Sequence, residues 1–155
     1  MKTEKTYKQV IEFDIVSANY LAEKKNERDE KDKDKVTTLE KCIELMQKQI
    51  RKIMPDFYEK RDLIRLEHCT KDEKTRRLIL SEGDKDYTFT EEGLKKVKEK
   101  IKELEQETVT IHKRILPENN TFKLTLLQKD AFADFVIDAT EDEFEKQFEK
   151  LEAVK

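Results

Sequence analysis

The strongest constraint on this chain is an apolar seam along one stretch of backbone. Leu39, Ile43, Met46, Ile50, Ile53 and Phe57 are spaced four, three, four, three and four residues apart, and Ile64 follows seven further on. Lys, Glu, Gln and Arg fill most of the intervening positions. Such alternation places every apolar side chain on one face of a helix and leaves the other face to water. Thr37 or Thr38 can cap its start. Pro55 falls inside the pattern. It lacks a backbone donor and its ring presses on the carbonyl of Arg51, which predicts a kink or break over residues 51–55.

A second seam, Leu94, Val97, Ile101 and Leu104, repeats the spacing after a cap at Thr90 or in Thr88-x-x-Glu91. Between the seams, Leu78 and Leu80, then Tyr87 and Phe89, alternate with polar residues around Glu82-Gly83-Asp84-Lys85. Alternating runs about a Gly-Asp turn predict a small β-hairpin. The β-branched run Thr108-Val109-Thr110-Ile111 predicts a strand, closed off by Pro117 and Asn119-Asn120. Thr125 caps a short helix expected to hold Leu126, Leu127, Phe132, Phe135 and Val136. Thr140-x-x-Glu143 opens another, carrying the stripe Phe144, Phe148 and Leu151. Over residues 5–22, Val10, Ile11, Ile15, Ala18 and Leu21 have helical spacing, while Phe13, Ile15 and Val16 equally suit a strand before a helix.

Composition agrees with long solvated helices. Charged residues make up 45% of the 155, with two Gly, two Pro and no Trp. Residues 23–35 hold six acids, six bases and no apolar residue, as a flexible linker or a helix extension would. The expected fold is therefore mostly α: a kinked antiparallel helical hairpin with a small β-hairpin at its tip and short C-terminal helices. Four parts follow: an N-terminal segment 1–22, the charged stretch 23–35, the hairpin 36–117 and the acidic C-terminal helices 118–155.

Charge and motif argue against several functions. Residues 118–155 carry ten acids and five bases, a net −5 within a chain of net −3, so residues 1–117 carry +2. No concentrated basic surface emerges, and nucleic acid is an unexpected partner. No apolar run approaches a membrane span, and the first residues lack an apolar signal core. Two glycines cannot build a phosphate-cradling loop, and neither of the common Gly-rich nucleotide motifs occurs. His68 and Cys69 are adjacent, but a metal site needs further ligands at turn spacing; a surface His68 and a packed Cys42 are the plainer expectation. Two cysteines fit a reducing compartment and no disulfide framework. Acid pairs such as Glu91-Glu92 suit helix N-termini better than glycosidase-like dyads. Arg76 and Arg77 form the one small basic cluster, a possible anion contact or simply a solvated helix end. No catalytic residue, cofactor or metal is expected.

The order of these elements resembles a known group. The opening Val10-Ile11-Glu12-Phe13-Asp14-Ile15-Val16-Ser17-Ala18-Asn19 precedes a long helix, and Leu78-Ile79-Leu80 with Asp86-Tyr87-Thr88-Phe89-Thr90-Glu91-Glu92-Gly93 makes a hairpin. A helix ending at Leu104 then runs into Thr108-Val109-Thr110-Ile111, with Phe132-x-x-Phe135-Val136-Ile137 beyond. Over most of residues 8–137 this resembles small helical proteins encoded by tailed bacteriophages and prophages, notably those of gut Bacteroidetes; residues 138–155 lie outside the shared pattern. The resemblance transfers no catalytic or metal motif. It implies a phage origin, work in virion assembly or structure, and a place in the host-cell cytoplasm or the virion.

The residues themselves point to a protein partner or self-association. A narrow hairpin leaves apolar faces open, so the seams are expected either to close on each other or to pair between subunits. Phe144, Phe148 and Leu151 are the expected docking stripe, since a terminal amphipathic helix suits a partner's groove; packing against the hairpin is the competing reading. The expected function is that of a non-enzymatic assembly, structural or adaptor protein. The alternative is an inhibitor that offers its acidic surface to a host enzyme or defence complex.

Overall fold

A computed structural model describes residues 2–29, 31, 36–83, 85–117, 124–139 and 146. Among them the protein is mostly helical. In chain order the elements are β1 (Lys2–Thr6), α1 (Tyr7–Glu27), α2 (Thr38–His68), α3 (Glu91–Glu105), β2 (Thr108–His112), β3 (Arg114–Pro117), α4 (Leu126–Phe132) and β4 (Val136–Ala139). They divide into two compact units, Met1–Lys52 with Thr108–Lys155, and Ile53–Glu107.

The first unit is built on α1. Thr6 opens that helix with a capping box: its hydroxyl accepts from the Gln9 amide, and the Gln9 side chain accepts from the Thr6 amide. The segment 5–22 is thus helical from Tyr7 onward, and the strand reading of Phe13–Val16 does not hold. Val10, Phe13, Ser17 and Tyr20 repeat at three and four residues and are buried. Phe13 stacks on Phe135 with centroids 4.4 Å apart and meets Phe132 edge-on at 5.7 Å. Phe132 in turn meets Tyr20 edge-on at 5.6 Å. Asp134 ties the same region together through Lys5 at 2.8 Å and Lys113 at 3.6 Å.

β1 pairs antiparallel with β2, setting Lys2 opposite His112 and Thr6 opposite Thr108. β3 pairs with β4 in parallel, Arg114 opposite Val136. The Gln49 side chain donates to the His112 carbonyl (3.1 Å) and accepts from its amide (2.7 Å), so it stands in for a neighbouring strand. Gln47 donates to the Ser17 hydroxyl (3.1 Å) inside the core, and Ser17 donates to the Asp14 carbonyl (3.1 Å). The Cys42 thiol points at the Ile115 carbonyl at 3.3 Å. These contacts explain what covers the first half of the long seam. Leu39, Ile43, Met46 and Ile50 are all but inaccessible, within a unit made of the chain's own two ends.

In the second unit the remainder of α2 is followed by α3. The α2 assignment is unbroken through Pro55, so the expected break is absent. Thr37 is its cap, its hydroxyl accepting from the Glu40 amide at 3.3 Å. Thr90 caps α3 by accepting from the Gly93 amide at 3.0 Å, while the Thr88 hydroxyl donates to the Ile79 carbonyl. Gly93 lies so near the end of α2 that a Cβ there would sit 2.8 Å from the His68 carbonyl oxygen. Met54, Phe57, Cys69, Val97 and Leu104 are the buried apolar residues of this unit.

Two expectations change in detail. The predicted β-hairpin is reduced to isolated antiparallel bridges, Leu80 with Tyr87 and Lys71 with Leu78. Gly83 makes the turn with φ of +81°. The helix opened by Thr125 stops at Phe132, because Asp134 takes a left-handed φ of 65°. Phe135 then lies in a turn, and the β-branched Val136 begins β4 rather than extending the helix. The predicted helix around Thr140–Leu151 lies outside the described residues.

Phe13→Ala removes the ring on which three other aromatics converge, directly or through Phe132. The expected cost is about 3–5 kcal/mol in urea unfolding, against roughly 0.5 kcal/mol for the exposed Ile15→Ala. Gly93→Ala gains helix propensity but forces the new methyl onto the His68 carbonyl. A net destabilisation of about 1–3 kcal/mol is expected by the same measurement.

Candidate interaction surfaces and buried polar groups

The end of α1 and the start of α2 are joined by an ion pair. Arg28, which closes α1, donates to the Glu40 carboxylate, and the Thr37 hydroxyl donates to the same oxygen at 3.1 Å. Glu40 is buried, at 2% exposure. Burial alone would raise its pKa, but the hydrogen bonds from Arg28 and Thr37 and the charge of Arg28 outweigh it and hold the carboxyl below its ordinary value. A cleft of about 380 Å³ opens beside the pair, lined by Leu21, Lys25, Val36 and Glu44 among others. The buried Glu40 carboxylate and the half-buried Arg28 guanidinium are spent on each other. The chemistry of the cleft is that of a structural joint.

The sequence-predicted residues fall as follows. Arg76 and Arg77 are exposed on a turn that follows α2, Arg76 with a left-handed φ of 58°. Asp72 builds that turn by accepting from the amides of Lys74 (2.9 Å) and Thr75 (3.1 Å), which keeps its carboxyl below the usual range. Phe144, Phe148 and Leu151 lie outside the described residues. Cys42 is packed as expected, at 0% exposure. Cys69 is buried too, its thiol donating to the Leu66 carbonyl at 3.2 Å. His68 departs from expectation. It is half-buried, and its Nε2 is shut away without a hydrogen-bond partner among the described residues. The close approach of α3 at Gly93 explains why this helix end is covered. Arg114 has a similarly shielded Nε. Burial lowers its pKa, with the Cys42 thiol acting the other way. Among the described residues no three His, Cys, Asp or Glu side chains gather as metal ligands would. No described helix is long and apolar enough to cross a membrane.

The sequence did not reveal where apolar surface stays open. In the second seam Val97 and Leu104 are buried, Ile101 is half-buried and Leu94 remains 41% exposed. Leu63 and Leu66 on α2 are 53% and 38% exposed, Leu78 and Ile79 on the following turn 37% and 44%, and Tyr58 47%. All six belong to the unit Ile53–Glu107. Leu63 and Leu66 sit off the heptad register, to the side of and opposite the face of Phe57 and Ile64, so a search for seams passes over them. In the first unit Leu126 and Leu127, at the start of α4, are 85% and 67% exposed.

Glu40→Gln tests the joint between α1 and α2. The depressed carboxyl contributes stability that is present above the unfolded pKa and lost as pH falls through the folded one. Wild type is therefore expected to weaken as pH drops from about 5 to 3. Glu40→Gln should be about 1–3 kcal/mol less stable at pH 7 and show a flatter acid limb in chemical unfolding across pH. An acid limb identical to that of wild type would exclude Glu40 as its source.

Comparison with protein-family models, with curated proteins and with solved structures finds no match.

Proposed function

We propose that this chain is a non-enzymatic, phage-encoded assembly, structural or adaptor protein that works through helical protein–protein contacts. One observation carries the reading. The unit Ile53–Glu107 leaves six large apolar side chains exposed while burying five apolar residues. A unit of this size with so small an interior gains from apolar surface covered by another chain. The phage origin rests on the order of sequence elements described above.

In this reading the rest of α2 and α3 form an antiparallel hairpin whose inner seams meet. The Gly93 approach to His68 supports it, since it brings the start of one helix against the end of the other. The outer faces then serve partners in the host-cell cytoplasm or the virion. Phe144, Phe148 and Leu151 add a terminal docking stripe.

Affinity capture with quantitative mass spectrometry, paired with light scattering, tests the function. Wild type should hold a protein, or more of itself, in near-stoichiometric amounts. Phe148→Ala should lower that retention at least tenfold with an unchanged circular-dichroism melt, whereas Ile50→Asp should unfold the chain by placing a charge in a sealed core. A chain that stays monomeric and retains nothing near stoichiometry overturns the proposal. A Phe148→Ala melt as low as that of Ile50→Asp removes the tail from it.

A further inference from the structure

Two of the exposed apolar patches carry opposite charge. On α2, Leu63 has Glu59 and Glu67 as its neighbours one turn either side, and Leu66 has Asp62 one turn before it. All three carboxylates are exposed and none forms an ion pair among the described residues. Two of the nearby cations are turned to other work. Lys60 is held by Asp56 (3.2 Å) and Glu107 (3.3 Å), and the Arg61 guanidinium lies over the Tyr58 ring at 4.9 Å. The Leu63/Leu66 patch is apolar with an acidic rim.

The second patch is Leu78 with Ile79. Arg76 and Arg77 immediately precede it, and Lys71 is paired across a β-bridge with Leu78, which sets the two side chains beside each other. Lys71, Lys74, Arg76 and Arg77 are all exposed. Of the two acids in this turn, Asp72 is occupied by the backbone amides it accepts from. The Leu78/Ile79 patch is apolar with a basic rim.

We infer that the occupant of these patches is a second copy of this chain, joined head to tail, the acidic-rimmed Leu63/Leu66 patch of one copy against the basic-rimmed Leu78/Ile79 patch of the next. This rests on the protein-contact reading above and names the partner for this face. A two-fold contact of either patch with itself would set like charges against each other, which disfavours it. The chain itself offers the complementary chemistry for each patch. Such a contact is heterologous: it closes into a ring where the rotation allows and otherwise grows. Each patch exposes only two side chains at its centre, so the contact is weak and sensitive to concentration and salt.

The test is sedimentation velocity of the full chain over a concentration series at low and high salt, with two variants. One carries Leu63→Ser and Leu66→Ser; the other carries Lys71→Glu and Arg77→Glu. All four sites are exposed, and circular-dichroism melts check that both variants fold. The inference expects wild type to gain mass with concentration, with association weakened several-fold at high salt. It expects each variant alone to stay monomeric at concentrations where wild type associates. Mixing the variants should restore a complex limited to one copy of each, because each retains the patch that the other lacks. A strictly monomeric wild type, association that survives in either variant, or a mixture that stays monomeric each overturns the head-to-tail contact. A monomeric wild type that still retains another protein in the capture experiment overturns this inference and leaves the proposed function standing. Should a variant fail to fold, Glu59→Gln with Glu67→Gln replaces the leucine pair, and unchanged self-association there overturns the role of the acidic rim.

Discussion

The packing of Phe13 is the interaction on which the first unit depends. Phe13 lies in the first half of α1, and the rings it meets, Phe132 and Phe135, come from the far end of the described chain. The two ends are also joined by the β1–β2 ladder with its buried Ile111, by the Gln49 and Cys42 hydrogen bonds to His112 and Ile115, and by an exposed ion pair. Exposed pairs contribute little, about 0–1 kcal/mol each. The Lys5–Asp134 bridge, with Asp134 largely in solvent, is of that kind. The aromatic burial supplies the energy, while the bridge and the strand register choose which ring meets which.

The polar interior works differently. Ser17 and Gln47 are buried yet satisfied, one hydrogen bond linking α1 to α2. Gln49 does the same for α2 and β2, closing both backbone groups of His112. Neighbouring seam positions are almost wholly apolar and would tolerate sliding by a turn. Side chains that need one specific partner remove that freedom, since a shifted register leaves buried donors unpaired at a cost of about 1–3 kcal/mol each. Arg28 with Glu40 adds a third fixed point where the two helices approach.

What was legible in the sequence was the helical periodicity and its caps. The Leu39–Phe57 seam, the Thr90 cap and the β-branched run at Thr108–Ile111 each carry a local physical signature, and each matches an observed element. β1 was not legible. Lys2–Thr6 alternates no apolar residue, and it is a strand because β2 accepts it from more than a hundred residues away. The parallel pairing of β3 with β4 has the same origin, and its turn depends on the positive φ of Asp134. What covers the first half of the long seam was also hidden, since spacing identifies an apolar face without naming its neighbour. Open apolar surface was harder still. Leu63 and Leu66 break the heptad, and only the packed helix shows that they stay exposed among the described residues.

The division of the chain has a consequence for how it is made. The unit Ile53–Glu107 is continuous in sequence, whereas its neighbour is assembled from residues before and after it. During synthesis the continuous unit is complete before Phe132 and Phe135 exist. Until they emerge, α1 carries Phe13 and Tyr20 uncovered through the translation of some hundred residues, at about 5–20 residues per second. Closing that long loop is the slow, high-contact-order step. A nascent chain stalled near residue 120 would thus present a finished continuous unit and a sticky amphipathic helix preceding it in sequence.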